Sequence, residues 1–200
     1  MSGQARGQRP GPGSILLGIA RLASGRVDGL RQFGATRDAF LVSLAPLIAF
    51  PLVGSVLMLL RGGGLDAVSG LLAALCALLA PPVLSFEVAR LWGREAAWLR
   101  FATAFNWCQW VIPVIGCLML LVVGILIGLG LPRAVAQVGV VLGIVAYGLW
   151  LQWFVVRHGL GLSGPRAALM VLGVNFATLV LVLGPRLLAV AIGGAGLADR

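Results

Sequence analysis

Polar side chains inside otherwise apolar segments are the residues of this chain that could do chemistry. Hydrocarbon makes each such group costly unless it is partnered, so these residues are expected to gather. Five of them fall near the same predicted end of three apolar stretches: Glu87, Arg90, Asn106, Gln109 and Gln152. We predict that they form a partly buried polar cluster in which Glu87 pairs with Arg90 or Arg94.

Two interpretations of this cluster stay open. In the first, it is a structural clasp that holds helix ends together. In the second, it is a proton or ligand site centred on Glu87, and the kink expected from Pro81-Pro82 just above this residue gives it some support. A single carboxylate near a membrane interface is a common feature, which favours the clasp.

The sequence gives little support for an enzymatic function. Gly161-Leu162-Ser163-Gly164 matches the short GxSG signature of rhomboid-like intramembrane serine proteases, but that nucleophile needs a base on a separate helix. The only histidine, His158, lies a few residues upstream in the same predicted loop. Because no HExxH motif, Walker-type loop or paired intramembrane carboxylate occurs either, we predict a non-enzymatic protein with no catalytic residue and no cofactor.

The cysteines do not indicate a metal site. Cys76, Cys108 and Cys117 all fall in apolar stretches, without CxxC spacing and without a cluster of Cys and His. We expect them to be small, reduced core residues.

The composition indicates that the elements carrying these residues lie in a membrane. The chain has 200 residues, 60% of them hydrophobic and 10% charged, and a mean hydropathy of +1.04. A soluble fold of this size buries about 70% of its chain surface, which would leave far too much apolar surface in water. The predicted fold class is therefore all-α, a polytopic transmembrane helical bundle.

Five stretches are long and apolar enough to cross a hydrocarbon core about 30 Å thick, which needs about 20 residues in a helix. They cover residues 39–60, 67–88, 107–131, 134–156 and a fifth stretch from about 167. The polar segment from Trp92 to Asn106 is expected to supply turn or interface residues between spans. Pro132-Arg133 leaves room only for a tight turn, so the third and fourth spans should form an antiparallel hairpin.

This pattern gives three regions: a basic N-terminal segment (1–38), a five-span domain (39–193) and a short tail (194–200). In the first region, Gly11-Pro12-Gly13 leads to a helix cap at Ser14, followed by apolar residues at helical spacing. The segment could form an interfacial helix on the inner leaflet. Its glycines Gly18, Gly25 and Gly29 weaken helix formation, so a loose basic tail stays open as well.

Arginine supplies all fifteen basic residues and the net charge of +9, and its distribution predicts the orientation. Six arginines precede the first span, three follow the second and two follow the fourth, whereas Arg61, Arg133 and Arg200 lie on the opposite side. The positive-inside rule places the N-terminus in the cytoplasm and the C-terminus outside. Arg186, within or at the end of the fifth span, is left out of this count.

The same arginine pattern indicates that the positive charge marks the cytoplasmic face of a membrane protein. We therefore do not expect the protein to bind nucleic acid. The absence of Lys favours a GC-rich bacterial source, for which the expected location is the cell inner membrane. Six tryptophans fall near the inner ends of the spans, as headgroup-level anchors do. They are Trp92, Trp98, Trp107, Trp110, Trp150 and Trp153.

Pairs of small residues four apart predict close helix approach. They are Gly124 with Gly128, Gly139 with Gly143, and Gly173 with Ala177. Packing inside one protomer and self-association through one of these faces both remain open. The expected partners are the lipid bilayer and a protein partner or a second copy at these faces.

Two stretches resemble a known family. The stretch from Trp98 to Pro113, which contains Phe105-Asn106-Trp107-Cys108-Gln109-Trp110, is similar to the polar-aromatic opening of the third helix in bacterial members of the Yip1-domain family. Tyr147 to Gln152 resembles their aromatic fourth helix, which ends in a Gly-containing inner loop, as does Gly159 to Gly164. The layout of five closely spaced helices after a cytoplasmic segment is also similar, over roughly residues 35–192.

The resemblance implies a non-enzymatic membrane protein that acts as an organiser or a partner-binding scaffold, with no catalytic residues to transfer. The acidic-Tyr-Gly-Pro motif of eukaryotic members is absent, so their Rab-linked trafficking roles are not carried over. A small transporter or channel subunit using Glu87 is the second hypothesis, although no internal repeat supports it. An accessory subunit of a larger membrane complex is the third.

Overall fold

The structure is a computed structural model that describes the backbone of residues 12–198 and the side chains of residues 13–184. Arg6, Arg9, Arg200 and the side chain of Arg186 lie outside the described residues. Within 12–198 the chain contains no β-strand. It forms α1 (Pro12–Ala23), a 3₁₀ helix (Val27–Gln32), α2 (Arg37–Leu60), α3 (Gly64–Leu91), α4 (Glu95–Cys108), α5 (Val111–Gly128), α6 (Arg133–Gly159) and α7 (Gly164–Ala198).

Five helical segments of the described chain are long and apolar enough to span a membrane. They are Arg37–Leu60, Gly64–Leu91, Glu95–Gly128, Arg133–Gly159 and Gly164–Gly184. The predicted all-α polytopic fold with five spans is thus confirmed by length and composition, and the protein is a multi-pass membrane protein whose helices contact lipid. The side on which each terminus lies stays a prediction from the arginine distribution.

The third span begins earlier than predicted. The segment from Trp92 to Asn106 was expected to be turn or interface structure, but α4 begins at Glu95. Six residues of α4 are buried: Phe101, Ala102, Thr103, Ala104, Asn106 and Cys108. The expected turn is wrong, because Thr103 Oγ1 donates to Leu99 O and Asn106 Nδ2 donates to Ser43 Oγ, so these polar residues are partnered without interrupting the helix. The position of this segment at the membrane interface stays a prediction.

A short break divides the third span into α4 and α5. Trp110 N–H donates to Trp107 O at 3.3 Å, a tightened turn, before α5 begins at Val111. Pro113 lies in the first turn of α5, where its missing N–H removes no intrahelical hydrogen bond. Directly after the break, Pro113 therefore costs α5 no backbone hydrogen bond.

Residues 12–33 form an ordered N-terminal element, made of α1 and the 3₁₀ helix packed together. Leu22, Leu30 and Phe33 are buried in it. A Cβ added to Gly18 would lie 2.8 Å from Phe33 Cε2, and one added to Gly29 would lie 2.8 Å from Gly18 O. Gly18 and Gly29 are thus positions that allow the two helices to approach, which favours an ordered helix over the loose tail. Its position at the membrane interface stays a prediction.

The described residues fall into two compact units, 12–43 with 96–167 and 44–95 with 168–198. In the first unit, α5 and α6 pack against each other across the short connection 129–132, as the tight turn predicted. The N-terminal element contacts α6 in the same unit. In the second unit, α3 runs through Pro81 and Pro82 without interruption.

Candidate functional site

Asn106 is a buried amide of the first unit. Its side chain is 3% exposed on α4, and Nδ2 donates to Ser43 Oγ of α2 at 3.0 Å. The Ser43 hydroxyl is fully buried and donates in turn to Phe40 O at 2.6 Å. Because a hydroxyl can donate once and still accept, the two side chains form a complete chain of hydrogen bonds, which suits a structural clasp between α2 and α4.

Ser43 was not singled out from the sequence. A serine in an apolar run is unremarkable by itself, since its hydroxyl can bond to its own helix backbone. The available signal was the cost of burying an amide in α4, which requires a partner on another helix. The sequence does not indicate which partner it is.

Gln109 and Gln152, also in the first unit, line one small cavity. Its volume is about 10 Å³, and its lining includes Phe105, Cys108 and Gly148. A cavity of this size is near the lower limit for a single water molecule. The structure therefore brings two predicted amides together, in a space that suits helix packing rather than a ligand.

Glu87 and Arg90 form an ion pair in the second unit. Arg90 Nη2 lies 2.7 Å from Glu87 Oε2, so Arg90 is the partner, and the two side chains are about half exposed. The pair follows from their spacing of three residues on α3, which places them on one face of the helix. Each unit thus has its own polar group, and the cluster of all five residues stays a prediction.

Two aromatic side chains of α6 hold the N-terminal element, a role that the sequence analysis missed. Tyr147 Oη donates to Ala23 O at 2.7 Å. A Cβ added to Gly25 would lie 3.5 Å from the Trp150 ring. The signal was the only tyrosine of the chain, placed in an apolar helix where its hydroxyl needs an acceptor.

The loop that contains the GxSG pattern has a structural explanation. Gly161 has a φ of +62°, and Leu162 N–H donates to Arg157 O at 2.9 Å. This is the geometry in which a left-handed glycine ends a helix, here α6. His158 packs on Phe154 with ring centroids 4.6 Å apart. The end of α6 therefore explains why a glycine occurs at position 161.

The cysteines correct one expectation. All three are free, and Cys108 is buried as predicted. Cys76 and Cys117 are exposed, so their predicted core positions are wrong. An apolar stretch of a membrane span can face lipid as well as the protein interior, and hydropathy does not distinguish the two.

Most of the predicted small-residue pairs face open space. A Cβ added to Gly124, Gly128, Gly139, Gly143 or Gly173 would meet no described atom of another element within 4 Å. By contrast, a Cβ added to Gly159 would lie 3.0 Å from Phe101 Cδ2. Packing inside their own unit therefore does not explain these five open glycines in the described part of the chain.

Gly173 and Ala177 also line an apolar groove of the second unit. The groove has a volume of about 280 Å³ and is bounded by Leu84 and Val88 of α3, by Trp92 directly after α3, and by α7. Its lining contains no charged side chain. This apolar lining suits contact with hydrocarbon chains.

Comparison with known proteins adds no identification: no family model, curated protein or solved structure matches this chain.

Proposed function

We propose that this protein is a non-enzymatic membrane scaffold of Yip1-like type, which binds partner proteins or further copies of itself inside the bilayer. The observation that carries the proposal is the open glycine pair on α5 and on α6. Glycine weakens a helix by about 1 kcal/mol relative to alanine, and in membranes its benefit is the close approach of another helix. Since no described helix of the same unit fills these positions, they are available to a partner helix.

The surface of the spans supports the same proposal. In the most apolar windows of the first four spans, 11% of the residues are buried within the protein, and in the fifth, 17%. Most of the helix surface is therefore available to lipid and to partner helices. The buried side chains of Asn106 and Ser43 form a hydrogen bond with each other, which suits a structural role. For a bacterial source, the scaffold would belong to the cell inner membrane.

The test is self-association in lipid, measured by stepwise photobleaching of labelled protein in liposomes at low protein density. We expect wild type to form dimers or larger assemblies. Gly143→Leu, or Gly128→Leu if the α5 face is the one used, should weaken association by about tenfold, because a side chain would hold the helix backbones apart. Each variant should keep its melting temperature, since a Cβ added at either position meets no described atom of another element within 4 Å.

Gly54→Leu is the matched control. Gly54 also faces open space, but the residues four positions away are Phe50 and Met58, so it has no small-residue pair. Its association should equal that of wild type. Photo-crosslinking from position 143 in native membranes extends the test to partners other than a second copy. A monomeric wild type that also gives no crosslink to any protein would contradict the scaffold.

A small transporter is the second candidate, because α3 carries the half-exposed carboxylate of Glu87 within a candidate span. The discriminating measurement is proton-linked flux of a panel of small solutes into liposomes, for wild type and Glu87→Gln. The scaffold predicts no flux above empty liposomes for either protein. Flux that is lost in folded Glu87→Gln would replace the scaffold with a transporter.

A further inference from the structure

The turn after α1 brings two arginines together. Gly25 has a φ of +78°, and Arg26 N–H donates to Arg21 O at 2.8 Å. This left-handed turn reverses the chain at the end of α1, so that the 3₁₀ helix returns along it. The spacing of Arg21 and Arg26 is therefore held by the backbone as well as by the side chains.

Both guanidinium groups bind the same carboxylate oxygen. Arg21 Nη1 lies 3.1 Å and Arg26 Nη2 lies 3.4 Å from Asp28 Oδ2. Two positive charges thus face one negative charge. Each guanidinium has five N–H donors, so most of the donors remain available to a second anion. Phosphate oxygens are the partners that paired arginines bind best.

Trp150 indicates the depth at which this pair lies. Tyr147 holds Ala23 O, and Trp150 lies against Gly25, so both contact the turn that joins the two arginines. The two aromatic residues are separated by about 4.5 Å along α6. Tyr147 lies near the middle of α6, whereas Trp150 lies nearer its C-terminal end. Because Trp concentrates at the headgroup level of membranes, Trp150 favours a position of Arg21 and Arg26 toward the lipid headgroups.

The rest of the N-terminal element has the character of an interfacial helix. Leu16, Leu17 and Val27 are exposed, with Leu16 at 68%. The described part of this element carries three arginines against one aspartate. Exposed leucines beside arginines are the combination that binds a leaflet containing anionic lipids.

We infer that Arg21 and Arg26, held in place by Asp28, bind the phosphate of an anionic phospholipid headgroup while Leu16 and Leu17 enter the same leaflet. Charge complementarity selects anionic lipid, because the site has one uncompensated positive charge. The inference concerns a lipid and the N-terminal element, so it stands independently of the proposed binding of proteins through α5 and α6.

The test is lipid binding to the full-length protein in detergent, counted by native mass spectrometry during titration with phosphatidylglycerol or phosphatidylcholine. Wild type should prefer phosphatidylglycerol. Arg21→Gln with Arg26→Gln should lower that preference about thirtyfold, from roughly 1 kcal/mol for each of the two arginines near a membrane surface. Arg61→Gln with Arg133→Gln removes the same charge elsewhere and should leave the preference unchanged.

Asp28→Asn distinguishes an organised site from general positive charge. This variant raises the net charge, so a purely electrostatic surface would bind phosphatidylglycerol more tightly. An organised site loses the carboxylate that holds both guanidinium groups and should bind it about threefold more weakly. Unchanged melting temperatures show that each variant is folded.

Three results would overturn the inference. The first is equal binding of the two lipids by wild type. The second is tighter binding of phosphatidylglycerol by Asp28→Asn. The third is competition by soluble glycerol phosphate at the concentration at which the lipid binds, because the ligand would then be free phosphate and the leucines would contribute nothing.

Discussion

Asn106 and Ser43 illustrate how a single polar residue is accommodated among apolar helices. The amide donates to the hydroxyl at 3.0 Å, and both groups are buried. An unpartnered buried amide costs about 1–3 kcal/mol in soluble proteins, whereas hydrogen bonds between membrane helices average about 0.6 kcal/mol. The membrane value is smaller because the unfolded chain in detergent or lipid also finds partners. Both figures agree that this bond stabilises α2 against α4.

The first prediction concerns this bond. Ser43→Ala removes the acceptor of Asn106 and should lower the free energy of unfolding by about 1 kcal/mol. The measurement is SDS-induced unfolding of the detergent-solubilised protein. Ser69→Ala is the matched control, because Ser69 Oγ also donates to a backbone oxygen three residues earlier, Asp66 O, but is exposed. Equal losses in the two variants would show that the bond to Asn106 contributes nothing.

At the scale of an element, α6 uses its glycines in two ways. Near its C-terminal end, Gly159 lies against Phe101 of α4, with 3.0 Å from an added Cβ to Cδ2 and 3.1 Å to Phe101 Cβ. In its N-terminal half, Gly139 and Gly143 face open space. One end of the helix therefore depends on glycine for packing inside the protein, while the other offers a face to another helix.

The second prediction follows from this difference. Gly159→Val forces a branched side chain against Phe101 and should lower the free energy of unfolding by about 1–3 kcal/mol, the usual effect of overpacking. Gly139→Val makes the same chemical change where no described atom lies within 4 Å, and should change it by less than about 0.5 kcal/mol. Thermal melting of monomeric protein in detergent compares them. Equal melting temperatures would mean that α4 and α6 do not approach closely at Gly159.

For the whole molecule, the arginine distribution is the property that predicts its orientation in the membrane. The described connection between α5 and α6, residues 129–132, carries no charged residue, whereas the N-terminal element carries three arginines. Arginine-rich short segments stay on the cytoplasmic side during insertion. With five spans, the rule predicts that the two termini lie on opposite sides of the membrane.

The third prediction tests this orientation by cysteine labelling in intact cells. In a background with Cys76→Ala, Cys108→Ala and Cys117→Ala, a membrane-impermeant maleimide should label Leu131→Cys from outside. Ser24→Cys should be labelled only after permeabilisation.

The cysteine-free protein is the control for background labelling. The reverse pattern would place the N-terminal element outside, against the positive-inside rule. It would also move the proposed lipid site to the outer leaflet.

The sequence alone determined the five spans and limited the partner of Glu87 to Arg90 or Arg94, of which the structure selects Arg90. Both are local: the transfer of each segment into hydrocarbon depends on its own residues, and residues three apart share a helical face. Only the tertiary structure decided that Asn106 binds Ser43, 63 residues away, and that Tyr147 holds Ala23, 124 residues away. It also decided that α4 is a buried helix, and which glycines are packed and which are open. These features depend on which helix faces come together, and apolar faces turned to lipid or to protein have the same composition.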